Sequence, residues 1–150
     1  MELTSSAFSD GCEIPRECGY KNGNREPQLT ISGTPDGTKS LALIMDDPDA
    51  MGAVGKVWVH WVLWNIDWEI ADLHGVELEG SILGTSGMTD FGEVGYGGPA
   101  PPDKRHTYVF KLYALDTGLD LPSKSTKADV EKAMEGHIIA EAKLTGTYAP

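Results

Sequence analysis

The alternation of apolar and polar positions along the chain predicts a protein built mainly from β-strands. Residues 40–45 form a continuous apolar run, as in a strand buried on both faces, and Asp46-Asp47-Pro48-Asp49 ends it. Residues 57–66 are apolar on both faces at a period of two, so this strand is expected inside a sandwich. On that period one face carries Trp58, His60, Val62, Trp64 and Ile66.

A second strong strand is predicted from His106 to Leu115. Shorter strands are expected at the N-terminus, at residues 28–32 and, as an edge strand, at residues 144–148. Residues 9–27 and 67–103 are expected to be mostly loop, with strand fragments around residues 76–83. Along 106–115 one face would carry His106, Tyr108, Phe110, Leu112 and Ala114, and the other Thr107, Val109, Lys111 and Tyr113.

The last third of the chain contains a helical signal. Thr126 and Asp129 have the spacing of a capping box, and apolar residues recur at helical intervals as far as Ile138. We therefore predict a helix from about Lys127 to about Lys143, with a break at Gly136 left open. The predicted fold is mainly β: one domain over residues 1–150, an antiparallel Greek-key β-sandwich with one or two short C-terminal helices.

Charge and composition narrow the classes of function. The 12 basic and 23 acidic residues give a formal net charge of −11, which argues against binding to nucleic acid or to anionic membranes. The N-terminus lacks a basic, then apolar, signal segment, and residues 57–66 are too short to insert into a membrane, so a cytoplasmic location is expected. Cys12 and Cys18 are expected to be free thiols, with a local disulfide or crosslink as the alternative.

Two segments resemble ligand-binding loops but lack residues that those loops require. An EF-hand beginning at Asp47 would place Met51 at its fifth position and Trp58 at its twelfth, where calcium needs oxygen ligands. The glycine- and proline-rich residues 95–102 lack the Lys-Ser/Thr ending of a phosphate loop, and their prolines exclude a following helix. The sequence therefore predicts no metal and no cofactor. The Pro-rich segment is either a rigid surface turn or one wall of a pocket.

Two histidines begin or interrupt the strongest apolar strands. His60 lies in residues 57–66, and His106 starts the other strand and shares its face with Tyr108. A buried histidine alone is usually a hydrogen-bonded core residue. Together with Asp47, however, these side chains suit a small oxyanion such as a phosphate monoester, because imidazole titrates near pH ~6.5 and a bound anion favours its protonated form.

A nucleophile is not evident in the sequence. Ser86 lies in Gly84-Thr85-Ser86-Gly87, which lacks the pattern of a nucleophile elbow. His60 and His106 could still act as a general acid and base. Three hypotheses follow: an anion-binding regulatory protein, a protein-surface inhibitor that uses the loops at 9–27 and 84–105, and a weak hydrolase or lyase. The binding protein is preferred, and monomer and homodimer both stay open.

Three motifs resemble the phosphatidylethanolamine-binding protein family, in its short bacterial and archaeal Raf kinase inhibitor-like branch. They are LALIMDDPDA at 41–50, VWVHWVLWNI at 57–66, and GYGGPAPP at 95–102 followed by HTY at 106–108. The resemblance extends from Phe8 to Tyr148. Thr107 departs from it, standing where the family usually has Arg, and the loop at residues 103–105 is short.

This resemblance implies a Greek-key β-sandwich and a pocket for phosphate or a phosphoethanolamine head group. By motif, the residues implied in ligand binding are Asp47, Asp49, His60, Pro102, His106 and Tyr108, with Asp49 as the structural partner of Asp47. The family's description as binding modules and inhibitors implies a peptidase or a kinase as a protein partner.

Overall fold

The computed structural model describes residues 1–69 and 84–150, so the strand fragments predicted around residues 76–83 lie outside the described residues. A 3-10 turn spans Arg16–Cys18 within the predicted N-terminal loop. The strands are β1 (Glu2–Thr4), β2 (Thr30–Ser32), β3 (Ser40–Asp47), β4 (Trp58–Ile66), β5 (Thr85–Ser86), β6 (His106–Leu115) and β7 (Ile138–Tyr148), and the α-helices are α1 (Ala50–Val54) and α2 (Lys127–Met134).

The strands form two antiparallel sheets. The larger one has the order β5-β4-β3-β6-β7, and β1 pairs with β2 in the smaller one. All eight residues of β3 are buried, because this strand has a neighbour on each side and packed side chains on both faces. The predicted mainly β, antiparallel class is confirmed, whereas its Greek-key connection stays a prediction.

Two apolar clusters lie on opposite faces of the larger sheet. On the first face, Leu3 and Ile31 of the small sheet pack against β3, β4 and β6. On the second face, Val130 and Met134 of α2 pack against the same strands. The predicted alternation of β6 is confirmed, since Tyr108, Phe110, Leu112 and Ala114 belong to the first cluster and Tyr113 to the second.

The predicted alternation of β4 is wrong at His60. Val62 and Trp64 lie on the helix-covered face, but the His60 ring packs against Tyr108 on the other face, with 5.1 Å between centroids. The cause is a register shift in the pairing with β3: Met45 is opposite Trp61 and Asp46 is opposite Val59, so His60 is an extra, bulged residue. A second register shift near Asn65 brings Ile66 into the first cluster, away from Trp64.

The C-terminal helix is shorter than predicted. Its capping box is present, since Asp129 N–H donates to Thr126 Oγ1 (3.3 Å) and Thr126 N–H donates to Asp129 Oδ2 (2.9 Å). The helix ends at Met134, however, and Gly136 adopts φ +79 and reverses the chain. Residues 138–143, predicted as helix, instead begin β7, which pairs with β6 and forms an edge of the sheet.

The two cysteines are not joined by a disulfide: Cys12 is exposed and Cys18 is buried. Burial, with a smaller contribution from Glu17, raises the pKa of Cys18 to about 11, so this thiol stays protonated near neutral pH. Across the residues that the structure describes, no helix has the length and apolar character needed to cross a membrane.

Candidate functional site

Three strands bring polar residues together at one end of the larger sheet. β3 ends at Asp47, and its antiparallel neighbours β4 and β6 begin at Trp58 and His106. Because antiparallel neighbours start where the middle strand stops, these three residues meet at the same edge. The bulge in β4 adds His60 to them.

These residues line a cavity of about 230 Å³ on the first face of the sheet. Its polar side chains are almost fully buried, with Asp47 3% exposed, His60 2% and His106 1%. Helix α1, the loop before β6 and Phe91 close the cavity with small apolar and aromatic groups. The full lining is Asp47, Ala50, Ala53, Val54, Trp58, His60, Phe91, Ala100, Pro102, His106 and Tyr108.

His106 lies between two carboxylates. Its Nδ1 is 2.6 Å from Asp47 Oδ2, and its Nε2 is 2.7 Å from Asp103 Oδ1. Burial alone would lower the pKa of His106, but the hydrogen bonds to Asp47 and Asp103 outweigh burial and raise it. Since ionised carboxylates only accept hydrogen bonds, the arrangement favours a ring with a proton on each nitrogen.

The same hydrogen-bond network fixes the turn after β3. Asp47 Oδ1 accepts a hydrogen bond from Asp49 N–H at 3.0 Å. Asp49 Oδ2 accepts one from Thr107 N–H at 2.8 Å, which joins the turn to the start of β6. Asp49 is not among the cavity-lining residues, so its part in this geometry is to hold Asp47 and His106 in place.

The His60 ring is hydrogen-bonded through Nδ1 to the Pro-rich segment. Its Nδ1 is 2.6 Å from the carbonyl oxygen of Gly97, while Gly97 N–H donates to the His60 carbonyl at 2.8 Å. Because a carbonyl only accepts, Nδ1 carries the proton and Nε2 of the neutral ring is a hydrogen-bond acceptor. Burial lowers the pKa of His60, so the neutral form is favoured at pH 7.

Tyr108 has a fully buried hydroxyl. The residue is 0% exposed, and within residues 1–69 and 84–150 no group meets its hydroxyl in full hydrogen-bonding geometry, although the Asp47 carboxylate and the Ala100 backbone are close enough to affect its pKa. Burial, with the nearby Asp47 carboxylate, raises the pKa of Tyr108 well above its usual value, so the hydroxyl keeps its proton. Trp58, which also lines the cavity, has an indole N–H in the same unpartnered condition.

The Pro-rich segment forms one wall of the cavity and is held by the N-terminal loop. Asn24 Oδ1 accepts a hydrogen bond from Gly98 N–H (2.7 Å), and its Nδ2 donates to the Tyr96 carbonyl (3.0 Å). Tyr20 N–H donates to the Pro99 carbonyl at 2.9 Å. These contacts place the Gly97 carbonyl on His60 and therefore set the orientation of that ring.

The structure brings five of the six residues named from sequence to the cavity wall, namely Asp47, His60, Pro102, His106 and Tyr108, and leaves Asp49 behind it. The sequence analysis did not identify Asp103. A carboxylate three residues before a histidine at the start of a strand could have indicated that the two side chains interact. The sequence analysis also did not identify α1, Trp58 and Phe91 as walls. Ser86 lies in β5 opposite Leu63, away from the cavity lining. In the described part of the chain no cluster of three His, Cys, Asp or Glu side chains could hold a metal.

We expect Asp103→Asn to lower the pKa of His106, because the ring then loses an ionised acceptor at Nε2. The titration of the ring signals by NMR measures this pKa directly. The free energy of unfolding should change little, since the Asp103 side chain is 44% exposed and solvent screens its charge.

Asp116→Asn is the matched control for this prediction. Asp116 accepts a hydrogen bond from the exposed His137 at 2.8 Å, so this variant removes a carboxylate from a different histidine. The His106 titration should not move in Asp116→Asn. An unmoved titration in Asp103→Asn would show that Asp103 does not set the protonation of His106.

Comparison with known proteins assigns the chain to a family. The family model for phosphatidylethanolamine-binding protein matches residues 4–149. A UPF0098 protein of Methanothermobacter thermautotrophicus is 46% identical over 99% of this chain and 98% of its own length, and one of Chlamydia muridarum is 42% identical with the same coverage.

Solved structures agree with this assignment. A phosphatidylethanolamine-binding protein homologue of Chlamydia trachomatis superposes with a TM-score of 0.87 at 39% identity, covering 98% of this chain and 95% of that one. Escherichia coli YbcL, described as a member of the mammalian family, gives 0.84 at 34% identity, with 98% and 96% covered. With motifs, fold and sequence in agreement, this chain belongs to the phosphatidylethanolamine-binding protein family.

Proposed function

We propose that the protein is a binding protein whose cavity takes the acidic head group of a small phosphorylated molecule. The observation that carries this proposal is the hydroxyl of Tyr108, which is fully buried on the cavity wall and meets no described residue in full hydrogen-bonding geometry, with the Asp47 carboxylate and the Ala100 backbone only nearby. A buried donor left unpaired costs about 1–3 kcal/mol. A phosphate oxygen in the cavity would supply the missing acceptor.

The size of the cavity supports a head group rather than a large ligand. Its volume of about 230 Å³ lies below the roughly 300–1,000 Å³ of pockets that enclose drug-sized molecules. Phosphate or O-phosphoethanolamine fits such a volume. The apolar side chains of Ala53, Val54 and Phe91, which also line the cavity, would contact the carbon atoms next to the phosphate.

Binding fits the geometry better than acid–base catalysis. Both ring nitrogens of His106 are bonded to carboxylates, so neither is free to exchange a proton with a substrate. His60 offers only Nε2. Ser86, the serine considered from sequence, is outside the cavity lining. We therefore propose no catalytic role for the histidine pair.

Replacing Tyr108 with phenylalanine should weaken ligand binding without lowering the stability of the fold. Removing an unpartnered buried hydroxyl should leave the free energy of unfolding unchanged or raise it by up to about 1 kcal/mol. The affinity for O-phosphoethanolamine should fall about tenfold or more, because a hydrogen bond to a charged oxygen contributes about 1.5–3 kcal/mol. Chemical unfolding and an NMR titration of the His60 ring measure the two effects.

Tyr113→Phe is the matched control, because Tyr113 lies on the opposite face of the same strand, away from the cavity. Its affinity for O-phosphoethanolamine should equal that of the wild type. Equal affinities for Tyr108→Phe and the wild type would contradict the role of the hydroxyl. His60 signals that stay unmoved at millimolar phosphate and O-phosphoethanolamine would contradict the proposed function itself.

A further inference from the structure

The polar groups on the cavity wall include strong acceptors of hydrogen bonds. Neutral His60 has Nε2 as a hydrogen-bond acceptor, because Nδ1 carries its proton towards the Gly97 carbonyl. This ring is 2% exposed, so water cannot easily satisfy Nε2 once the cavity is filled. A ligand atom next to it must therefore bring a hydrogen of its own.

Asp47 is the second acceptor. Its two oxygens receive hydrogen bonds from the His106 ring and from Asp49 N–H. An ionised carboxylate has about four acceptor sites, so lone pairs remain after these two bonds. Asp47 is 3% exposed and lines the cavity, so a ligand in the cavity is the group that these lone pairs can accept a hydrogen bond from.

The charges around the cavity do not favour a fully ionised ligand. Among the described residues that line the cavity, the one cationic side chain is the His106 ring, which is already paired with two carboxylates, Asp47 and Asp103. Asp46, one residue before Asp47 in β3, adds a further negative charge close enough to act on His60. Asp46 is bonded to Lys111 and Lys127 on its own face of the sheet, and neither lysine lines the cavity.

We propose that the cavity selects acid groups that retain a proton, and so binds a singly protonated phosphate ester in preference to a sulfate ester of the same shape. The P–OH would donate to Asp47 or to His60 Nε2, while another phosphate oxygen accepts from Tyr108. A sulfate ester has acceptors only, so it would face the two protein acceptors without a hydrogen. This inference rests on the proposed function and names the chemical class of its ligand.

The test compares two ligands that differ in one atom. O-phosphoethanolamine and 2-aminoethyl hydrogen sulfate have the same chain and amine, but only the phosphate, with a second pKa of about 6, keeps a proton in a large share of molecules at pH 6. Affinities are measured by calorimetry on the full chain at pH 6. We expect the phosphate ester to bind at least about tenfold more tightly than the sulfate ester, since the sulfate ester would leave buried acceptors unpaired.

The possible results separate the inference from the function on which it rests. Equal affinities, or tighter binding of the sulfate ester, would overturn the inference and leave the binding function standing. Binding of neither ester would overturn both. The comparison uses the wild-type protein, so it does not depend on a variant that folds.

A variant provides a second, independent test of the preference for the phosphate ester. Asp47→Asn replaces a carboxylate oxygen with an N–H₂ group, which can donate to a ligand oxygen, so the preference for the phosphate ester should shrink by about threefold or more. Asp116→Asn, at a surface carboxylate away from the cavity lining, should keep the wild-type ratio. Thermal unfolding confirms that both variants are folded before the ratio is compared. A folded Asp47→Asn with an unchanged ratio would contradict the role of Asp47.

Discussion

Replacing Gly98 with alanine is expected to lower the free energy of unfolding by about 3 kcal/mol or more. A Cβ at this position would lie 2.0 Å from the carbonyl oxygen of Cys18 and 2.9 Å from the backbone nitrogen of Tyr20. Both obstacles are backbone atoms, which cannot rotate away as a side chain does. The two segments would have to separate, and that loss is at the upper end of what overpacking causes.

The same separation should reach the candidate site. Gly98 N–H donates to Asn24, and this contact holds the segment whose Gly97 carbonyl orients His60. Urea unfolding gives the loss of stability, and His60 ring shifts report the disturbed site. Gly118→Ala is the control, because its nearest neighbour would be the Asn65 side chain at 3.6 Å, an ordinary contact. A Gly98→Ala protein as stable as Gly118→Ala would contradict this close packing.

The sequence predicted the elements whose side-chain period is unbroken. In β6 the alternation from His106 to Ala114 is regular, so His106 and Tyr108 were placed on one wall from sequence. In β4 the same argument put His60 on the wrong face. The bulge in β4 arises from its pairing with β3. The amino-acid sequence of one strand does not reveal its register with a neighbouring strand.

The length of the C-terminal helix also depends on strand pairing that the sequence pattern does not reveal. Val130, Met134 and Ile138 recur at helical spacing, so the pattern alone extends the helix too far. Pairing with β6 satisfies the backbone from Ile138 onward, and Gly136 in the left-handed region supplies the reversal. Tertiary pairing here overrides a local periodicity.

The sequence predicts which residues form the site, but it does not predict their hydrogen bonds. The family motif indicates Asp47, His60 and Tyr108. A motif does not predict, however, that His60 Nε2 is a hydrogen-bond acceptor or that the Tyr108 hydroxyl lacks a partner in full hydrogen-bonding geometry. Both depend on which backbone groups the loops bring to the ring or withhold from the hydroxyl. These details change the expected ligand from a general anion to an acid that keeps a proton.

Replacing Asp47 with alanine should have the second large effect, a loss of about 3–5 kcal/mol in the free energy of unfolding. The carboxylate is almost completely buried and hydrogen-bonded to His106 at 2.6 Å, and removing one partner of a buried ion pair leaves the other poorly compensated. Asp103 still contacts Nε2, so the lower end of the range is expected. Removing His106 as well, in Asp47→Ala/His106→Ala, should cost less than the sum of the single changes by about 1–3 kcal/mol.

The pH dependence of this loss provides its control. The folded-state pKa of His106 is raised above about 6.5, its ordinary value, so the stabilisation from the protonated ring is complete below about pH 6.5 and is lost as the pH rises through the folded-state pKa. Urea unfolding should therefore show a larger penalty for Asp47→Ala at pH 6 than at pH 9. A penalty independent of pH would mean that Asp47 stabilises the fold by packing and neutral hydrogen bonds, without a charged His106.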